Sequence, residues 1–378
     1  MLARWTLRNF KSYSANNSFV LSPLTLFRGA NSSGKSSVLQ SMLLIKQTLE
    51  HSPVDRVIAL NGPLVQLGTF SDILNNQAPD TPQEIGIGWD VDHAASSNAA
   101  VSMYLNEFQV ARSRLDFVFD TAGPVDERAT LELQPGLKSA RMSAVVTDGS
   151  GQEHDVRVEI ERVTRRGRRI QYDSSTLADD AKLRFRIKDI DAETWDAAAP
   201  GNVPSTVVGA NINHFSPSAL IVRYDRNLRL AKQAAIVLTD SRAPTRFRMA
   251  PVKLSRAVLS ILQEALSSFT SHPRFEIISR LFQMESKELT VETIAQRYKV
   301  LPLMTRRQVR EALAGREGVV ADQIYKELGR DRTVSLARVE QLARVTSASE
   351  HYFRFLLRYL GPLRADPRLR TLYGASLT

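Results

Sequence analysis

The stretch LTLFRGANSSGKSSVLQSM, Leu24 to Met42, constrains the fold of this chain more than any other. Upstream of its glycines, SFVLSPLTLFRG reads as a strand that runs straight into the loop. An earlier alternating segment, ARWTLRNF, reads as a neighbouring strand joined to it through the polar turn SYSANN. Downstream, KSSVLQSMLLIKQTLEHS places Val38, Leu39, Met42, Leu43, Ile45 and Leu49 at near-helical spacing, and Pro53 ends the run. The order is strand, loop, helix.

That order gives the loop its chemistry. Gly29, Gly34, Lys35 and Ser36 satisfy G-x-x-x-x-G-K-[ST], whose glycines let backbone N–H groups turn inward around a phosphate. The start of the following helix adds roughly half a positive charge, so a di- or triphosphate is the natural ligand. Gly29, Ala30, Asn31, Ser32, Ser33, Gly34, Lys35, Ser36 and Ser37 are therefore the expected binding residues for that phosphate chain. Lys35 is the expected catalytic phosphate clamp, and Ser36 the expected ligand of Mg²⁺. The plain alternative is a glycine-rich turn that holds nothing.

Composition limits the remaining possibilities. A chain of 378 residues holds about two or three domains. No apolar run approaches the roughly 20 residues that cross a bilayer, and MLARWTLRNFKSY lacks the continuous apolar stretch of a signal peptide. With no cysteine, the chain has no disulfide, thiolate metal site or cysteine nucleophile. A cytoplasmic setting with no membrane partner is the expectation. The net charge of +10 is compatible with nucleic acid as a partner and equally with solubility alone.

The middle of the chain alternates in EIGIGWDV, SRLDFVFD, ATLELQ, MSAVVTD, HDVRVEIERV, KLRFRIKDI and ALIVRYD, which predicts an extended antiparallel sheet. DGSGQE, between two such segments, reads as a hairpin turn. ERVTRRGRRIQY sets Arg162, Arg165, Arg166, Arg168 and Arg169 around Gly167, either as a phosphate grip or as a solvated tip that protects a sheet edge. From about Pro251 the periodicity turns helical through LARVEQLARVTSASEHYFRFLLRYL, with Arg338, Arg344, Arg354 and Arg358 on its surface. The six histidines show no metal-ligand spacing, and no G-x-S-x-G elbow is present.

LRNFKSY, GANSSGKSSVLQSMLLIKQTLE and LNGPLVQLGTFSDIL together resemble the N-terminal part of the AAA/ABC-type ATPases related to the SMC, RecF and OLD proteins. They are most similar to the bacterial branch with a DUF3696-type C-terminal region. YLGPLRADPRLRTLYG, from Tyr359, is similar to the segment that leads into the family's signature helix. The resemblance implies an α/β fold: an ABC-like P-loop NTPase head with an antiparallel β subdomain and an inserted helical lobe. The implied division is an ATPase core at 1–82, a β-rich subdomain at 83–245, a helical lobe at 246–358 and a return segment at 359–378. It also implies Arg8, Asn9 and Lys11 as rim residues and offers Gln66 or Gln109 as a Q-loop glutamine.

Two family elements lack a clear counterpart, the signature motif and a strand ending in Asp-Glu. AAIVLTDSR offers Asp240 for the second, but Ser241 stands where the glutamate belongs, so an ordinary buried strand or helix edge reads better. The expectation is an ATP-binding ATPase subunit in a DNA-related or anti-phage complex, with a protein partner supplying the C-terminal ATPase half, as a homo- or hetero-oligomer. The rival reading is a non-hydrolysing, nucleotide-gated scaffold or sensor. A nucleotide kinase or GTPase fits less well, since no N-K-x-D motif follows.

Overall fold

The computed structural model describes residues 1–30, 33–75, 83–93, 108–122, 128–163, 183–199, 203–239, 252–267, 281 and 289–360. Its centre is a mixed α/β body built on one antiparallel sheet of ten strands. They are β1 Leu2–Arg8, β2 Asn17–Val20, β3 Glu84–Asp92, β4 Phe108–Asp120, β5 Gly136–Asp148, β6 Glu153–Arg162, β7 Phe185–Ile190, β8 Ser205–Asn213, β9 Ser216–Asp225 and β10 Arg332–Ala337. The order is β10-β9-β8-β7-β6-β5-β4-β3-β1-β2, so β2 and β10 are the two edges.

Register sorts the side chains onto two faces because strand side chains alternate. Trp5, Trp89, Leu115, Met142 and Val158 fall opposite one another on successive strands and form a buried row. One residue along, Thr6, Gly88, Asp116, Arg141 and Glu159 form a row on the other face. Helices cover the apolar face. α1, Lys35–His51, is fastened there by the Trp5 Nε1 bond to Ser41 Oγ, 2.9 Å. The helix at Glu340–His351 is held by Trp89 Nε1 on Ser349 Oγ, 3.3 Å. Between them Trp5 stacks on Trp89 at 5.6 Å, and Phe353 meets Trp89 edge-on at 4.9 Å.

The opposite face is a field of ion pairs: Arg4 with Asp90, Arg114 with Asp90 and Asp116, Arg141 and Lys188 with Glu159, and Arg186 with Glu161. Opposite charges on neighbouring strands support pairing and keep this face wettable.

A second buried cluster is helical. After β9 the chain enters Arg226–Thr239, then Arg256–Ala265, Val291–Val300, Leu303–Leu313 and Glu317–Leu328, before β10 returns it to the sheet. Ala231, Ala234, Leu238, Val258, Leu262, Ile294, Val309 and Ile324 are in its core.

Three local expectations are corrected, and the open choice between strand and helix for a fourth segment, Ala234–Thr239, is decided. The strand leading to the glycine loop ends at Val20; Leu21 to Arg28 joins no ladder. Pro23, with no N–H to donate, interrupts it. ATLELQ lies in a helix, Arg128–Leu133, composed of good helix formers and placed between β4 and β5, which already pair with each other. The Ala234–Thr239 run is helical rather than a strand, and Asp240 lies outside the described residues. Within the run expected to be helical after Pro251, residues 332–337 form β10, because β9 offers them an open edge. DGSGQE does form the expected turn: Asp148 N–H donates to Gln152 O at 2.9 Å, and Gly151 has φ 87°.

Candidate functional site

The glycine loop is built around the start of α1. Gly34 caps that helix in the left-handed region, φ 90° and ψ 0°, with no side-chain cap and no acidic residue in the first turn. Only glycine adopts this geometry without strain. A Cβ here would also fall 2.9 Å from the Tyr13 ring, so the close approach of Tyr13 requires glycine a second time. Tyr13 donates its hydroxyl to Gly34 O at 3.1 Å, and burial pushes that hydroxyl's pKa up. Behind it, Phe19 meets Tyr13 at 5.3 Å and Phe27 at 6.2 Å, both edge-on. This aromatic row is a floor for the loop that sequence reasoning missed; the signal was Tyr13 in FKSYS, Phe19 in NSFV and Phe27 in LTLFRG.

Lys35 reaches back over the loop. Its ammonium donates to Gly29 O at 2.8 Å, to Ala30 O at 2.5 Å and to Ser33 Oγ at 3.3 Å. The charge that would clamp a phosphate therefore sits at the loop's mouth, held by carbonyls that a phosphate oxygen can replace. Ser36 is exposed on the first turn, whereas Ser37 is buried with its N–H on Gly34 O at 2.9 Å. Asn31 and Ser32 lie outside the described residues. The structure thus brings Gly29, Ala30, Ser33, Gly34, Lys35 and Ser36 together at one helix end.

The electrostatics favour an anion. None of the first 49 residues is acidic, while Arg4, Arg8, Lys11, Arg28, Lys35 and Lys46 are basic. Neither Arg28 nor Lys35 has a carboxylate partner among the described residues. The helix end adds partial positive charge and N–H groups that have no intrahelical acceptor. These residues fit phosphate. For Mg²⁺ the loop itself offers the Ser36 hydroxyl, so phosphate oxygens and water would complete the shell.

The rim candidates separate. Lys11 donates to Gln40 Oε1 on α1 at 2.8 Å and stands beside the helix; burial lowers its pKa. Asn9 is buried and donates to Glu84 O at 2.8 Å. Arg8 is on the face of the sheet away from α1, paired with Glu84 at 2.9 Å, and lines a groove of about 410 Å³ with Arg114, Arg141 and Asp116. Gln109 is on β4 opposite Thr147. Gln66 belongs to a bridge with Asn61, and that turn is anchored to α1 at Gln47, whose side-chain oxygen accepts from Val65 N–H at 2.9 Å. Gln47 is twelve residues beyond Lys35, or about 18 Å along the helix.

The basic clusters are largely neutralised where they are described. Arg162 donates to Asp120 at 2.7 Å, Arg344 pairs with Glu340 at 2.8 Å and Arg354 with Glu350 at 3.9 Å. Arg165, Arg166, Arg168 and Arg169 lie outside the described residues, and Arg338 and Arg358 are exposed. Among the described residues no helix is long and apolar enough to cross a membrane, and no cluster of His, Asp and Glu could hold a metal. No protein-family model matches the chain, and no curated protein matches it significantly.

Proposed function

We propose that this chain is an ATP-binding subunit of an ABC-like ATPase, with Lys35 as phosphate clamp and Ser36 as magnesium ligand. One observation carries the reading. The Lys35 ammonium and the uncapped, acid-free start of a 17-residue helix converge on one glycine loop. Backbone N–H groups and the ammonium would neutralise the β- and γ-phosphates, while the exposed Ser36 hydroxyl supplies a metal ligand.

Hydrolysis needs a carboxylate to order the attacking water and further donors on the γ-phosphate. In this reading a partner polypeptide supplies both, within a DNA-related or anti-phage complex. That biological setting rests on the sequence resemblance alone. A second reading, a non-hydrolysing scaffold gated by nucleotide, draws support from the helical state of Ala234–Thr239, which removes that run as the acid-bearing strand.

Calorimetric titration with Mg-ATP tests the binding step. Wild-type protein binds, Lys35→Ala does not, and Ser36→Ala loses mainly the magnesium-dependent part. Unchanged affinity in Lys35→Ala removes the phosphate-clamp assignment. Phosphate release by the purified chain is expected near background; brisk turnover without a partner overturns the divided site. Turnover that appears with a partner and vanishes with Lys35→Ala excludes the scaffold reading.

A further inference from the structure

The face of the sheet away from α1 holds a groove of about 410 Å³ among its ion pairs, a size that suits a small molecule. Register explains the space. Gly86 and Gly88 are successive outward positions on β3, and Gly86 stands beside Val118 on β4 and, through it, Ser139 on β5. A Cβ at position 88 would fall 2.3 Å from Asp116 Oδ1, so any side chain there would displace the groove's wall. Arg8, Arg114 and Arg141 line the opening.

The charge around the groove does not balance. Glu84 is shared by Arg8 and Lys138, Asp90 by Arg4 and Arg114, and Glu159 by Arg141 and Lys188, while Asp116 meets Arg114 alone. Six cations therefore stand on four carboxylates, a surplus of two. Donors also remain. Arg114 hydrogen-bonds through Nε alone, to Asp116 at 3.4 Å, and Arg141 through Nε and Nη2, to Glu159 at 2.9 and 2.7 Å. Among the described residues, both Nη groups of Arg114 and the Nη1 of Arg141 have no hydrogen-bond acceptor. Arg114 is opposite Ser143 and Arg141 opposite Asp116, so the two arginines are diagonal neighbours with bases about 7–8 Å apart, within reach of one anion.

We propose that this groove binds a small phosphomonoester, with the phosphate between the Arg114 and Arg141 guanidiniums and the rest of the molecule in the groove toward Arg8. Charge, donors and space each specify the ligand. A phosphomonoester carries about two negative charges at neutral pH, which matches the surplus, and its terminal oxygens accept the free N–H groups. A phosphodiester carries one charge and leaves half of the surplus uncompensated. The site is on the opposite face of the sheet from the glycine loop's helix, and the inference does not depend on the nucleotide reading.

Titration calorimetry with glucose 6-phosphate tests this, on the full chain as wild type and with Lys35→Ala, so that the glycine loop's contribution is separated. Both proteins are expected to bind one molecule per chain and to ignore glucose. Affinity should fall about tenfold between about pH 7.5 and pH 5, as the phosphate regains its second proton. Arg114→Gln and Arg141→Gln should each weaken binding about tenfold. Both variants keep their carboxylates paired, Asp90 through Arg4 and Glu159 through Lys188, and unfolding midpoints check that they fold. Ser139→Glu, which places a carboxylate in the groove, should abolish binding, whereas Arg157→Gln, whose arginine pairs with Asp189, should leave it unchanged. Absence of binding in the wild type overturns the site, and so does affinity indifferent to the two arginine variants and Ser139→Glu. Binding lost in Lys35→Ala overturns it too, by returning the ligand to the glycine loop. Oligothymidylate that binds more tightly than the sugar phosphate through the same arginines overturns it by assigning the groove to nucleic acid.

Discussion

At the scale of single residues, the glycine loop depends on Gly34 for two separate reasons, its φ of 90° and the Tyr13 ring 2.9 Å from the missing Cβ. Gly34→Ala should therefore destabilise the protein by about 1–3 kcal/mol, because left-handed strain and steric contact add. Thermal unfolding measures this, and a variant with wild-type Tm would show that the loop relaxes around a methyl group. His154 illustrates a different dependence. Its ring bonds Glu193 and, at 3.1 Å, Asp148, and these two carboxylates raise its pKa above the usual 6.5. The folded value is the higher one, so the stabilisation is complete below pH 6.5 and is lost as pH rises through the raised value. Asp148 lies well below the usual carboxylate range, through bonds from Ser150, His154 and Gln152, and its contribution disappears as pH falls through that low value. Unfolding midpoints measured across pH 6 to 9 should decline for the wild type and flatten in His154→Gln; parallel curves would show that the imidazole contributes nothing.

At the scale of elements, α1 connects the loop to the C-terminal part of the described chain. Lys46, 7% exposed, donates to Phe353 O at 3.0 Å and Arg354 O at 3.1 Å and pairs with Glu50 at 2.8 Å. All three donors of its ammonium are used, and the bond from Lys46 holds the Glu50 carboxyl below its ordinary pKa. The two carbonyls belong to a single π-helical turn, Tyr352–Leu356, that ends the helix and so leaves them without intrahelical donors. Lys46→Met keeps the length of the side chain but strands those acceptors, at a cost of about 1–3 kcal/mol. Hydrogen exchange should quicken first at residues 352–356. Unaltered exchange there would mean that the turn is held by Phe353 packing on Trp5 and Trp89 alone.

At the scale of the whole molecule, the helical cluster leaves the sheet after β9 and rejoins it at β10, so its base is a single junction. Asp225 accepts from Tyr325 Oη at 2.7 Å and from the N–H groups of Asn227 and Leu228 at 3.1 Å. Arg226 N–H donates to Asp331 O at 2.7 Å. Asp225→Ala removes one acceptor shared by the helices on both sides of the junction and should cost about 1–3 kcal/mol. The loss belongs to the helical cluster, whose buried residues are separate from those under α1. Denaturant unfolding should separate into two steps while Mg-ATP affinity stays at the wild-type level. One cooperative transition with weakened nucleotide binding would show instead that the two cores unfold as a unit.

The sequence by itself determined the helix Lys35–His51, the glycine loop before it, and most strands from β3 to β9, because each has a period that one segment displays alone. It also contained the means to decide between strand and helix for Ala234–Thr239: Ala231, Ala234, Ala235 and Leu238 mark a helical stripe through that run. Tertiary structure decided the rest. Leu24–Phe27 has a strand's alternation, yet a strand exists only where a neighbour accepts its hydrogen bonds, and among the described residues none does. Residues 332–337 became β10 for the opposite reason, since the edge of β9 was open to them. Arg8 and Lys11 are three residues apart in sequence and end on different sides of the sheet, because alternation aims Arg8 away from α1 while the turn after β1, with Asn9 and Lys11 at φ 53° and 49°, carries Lys11 toward Gln40.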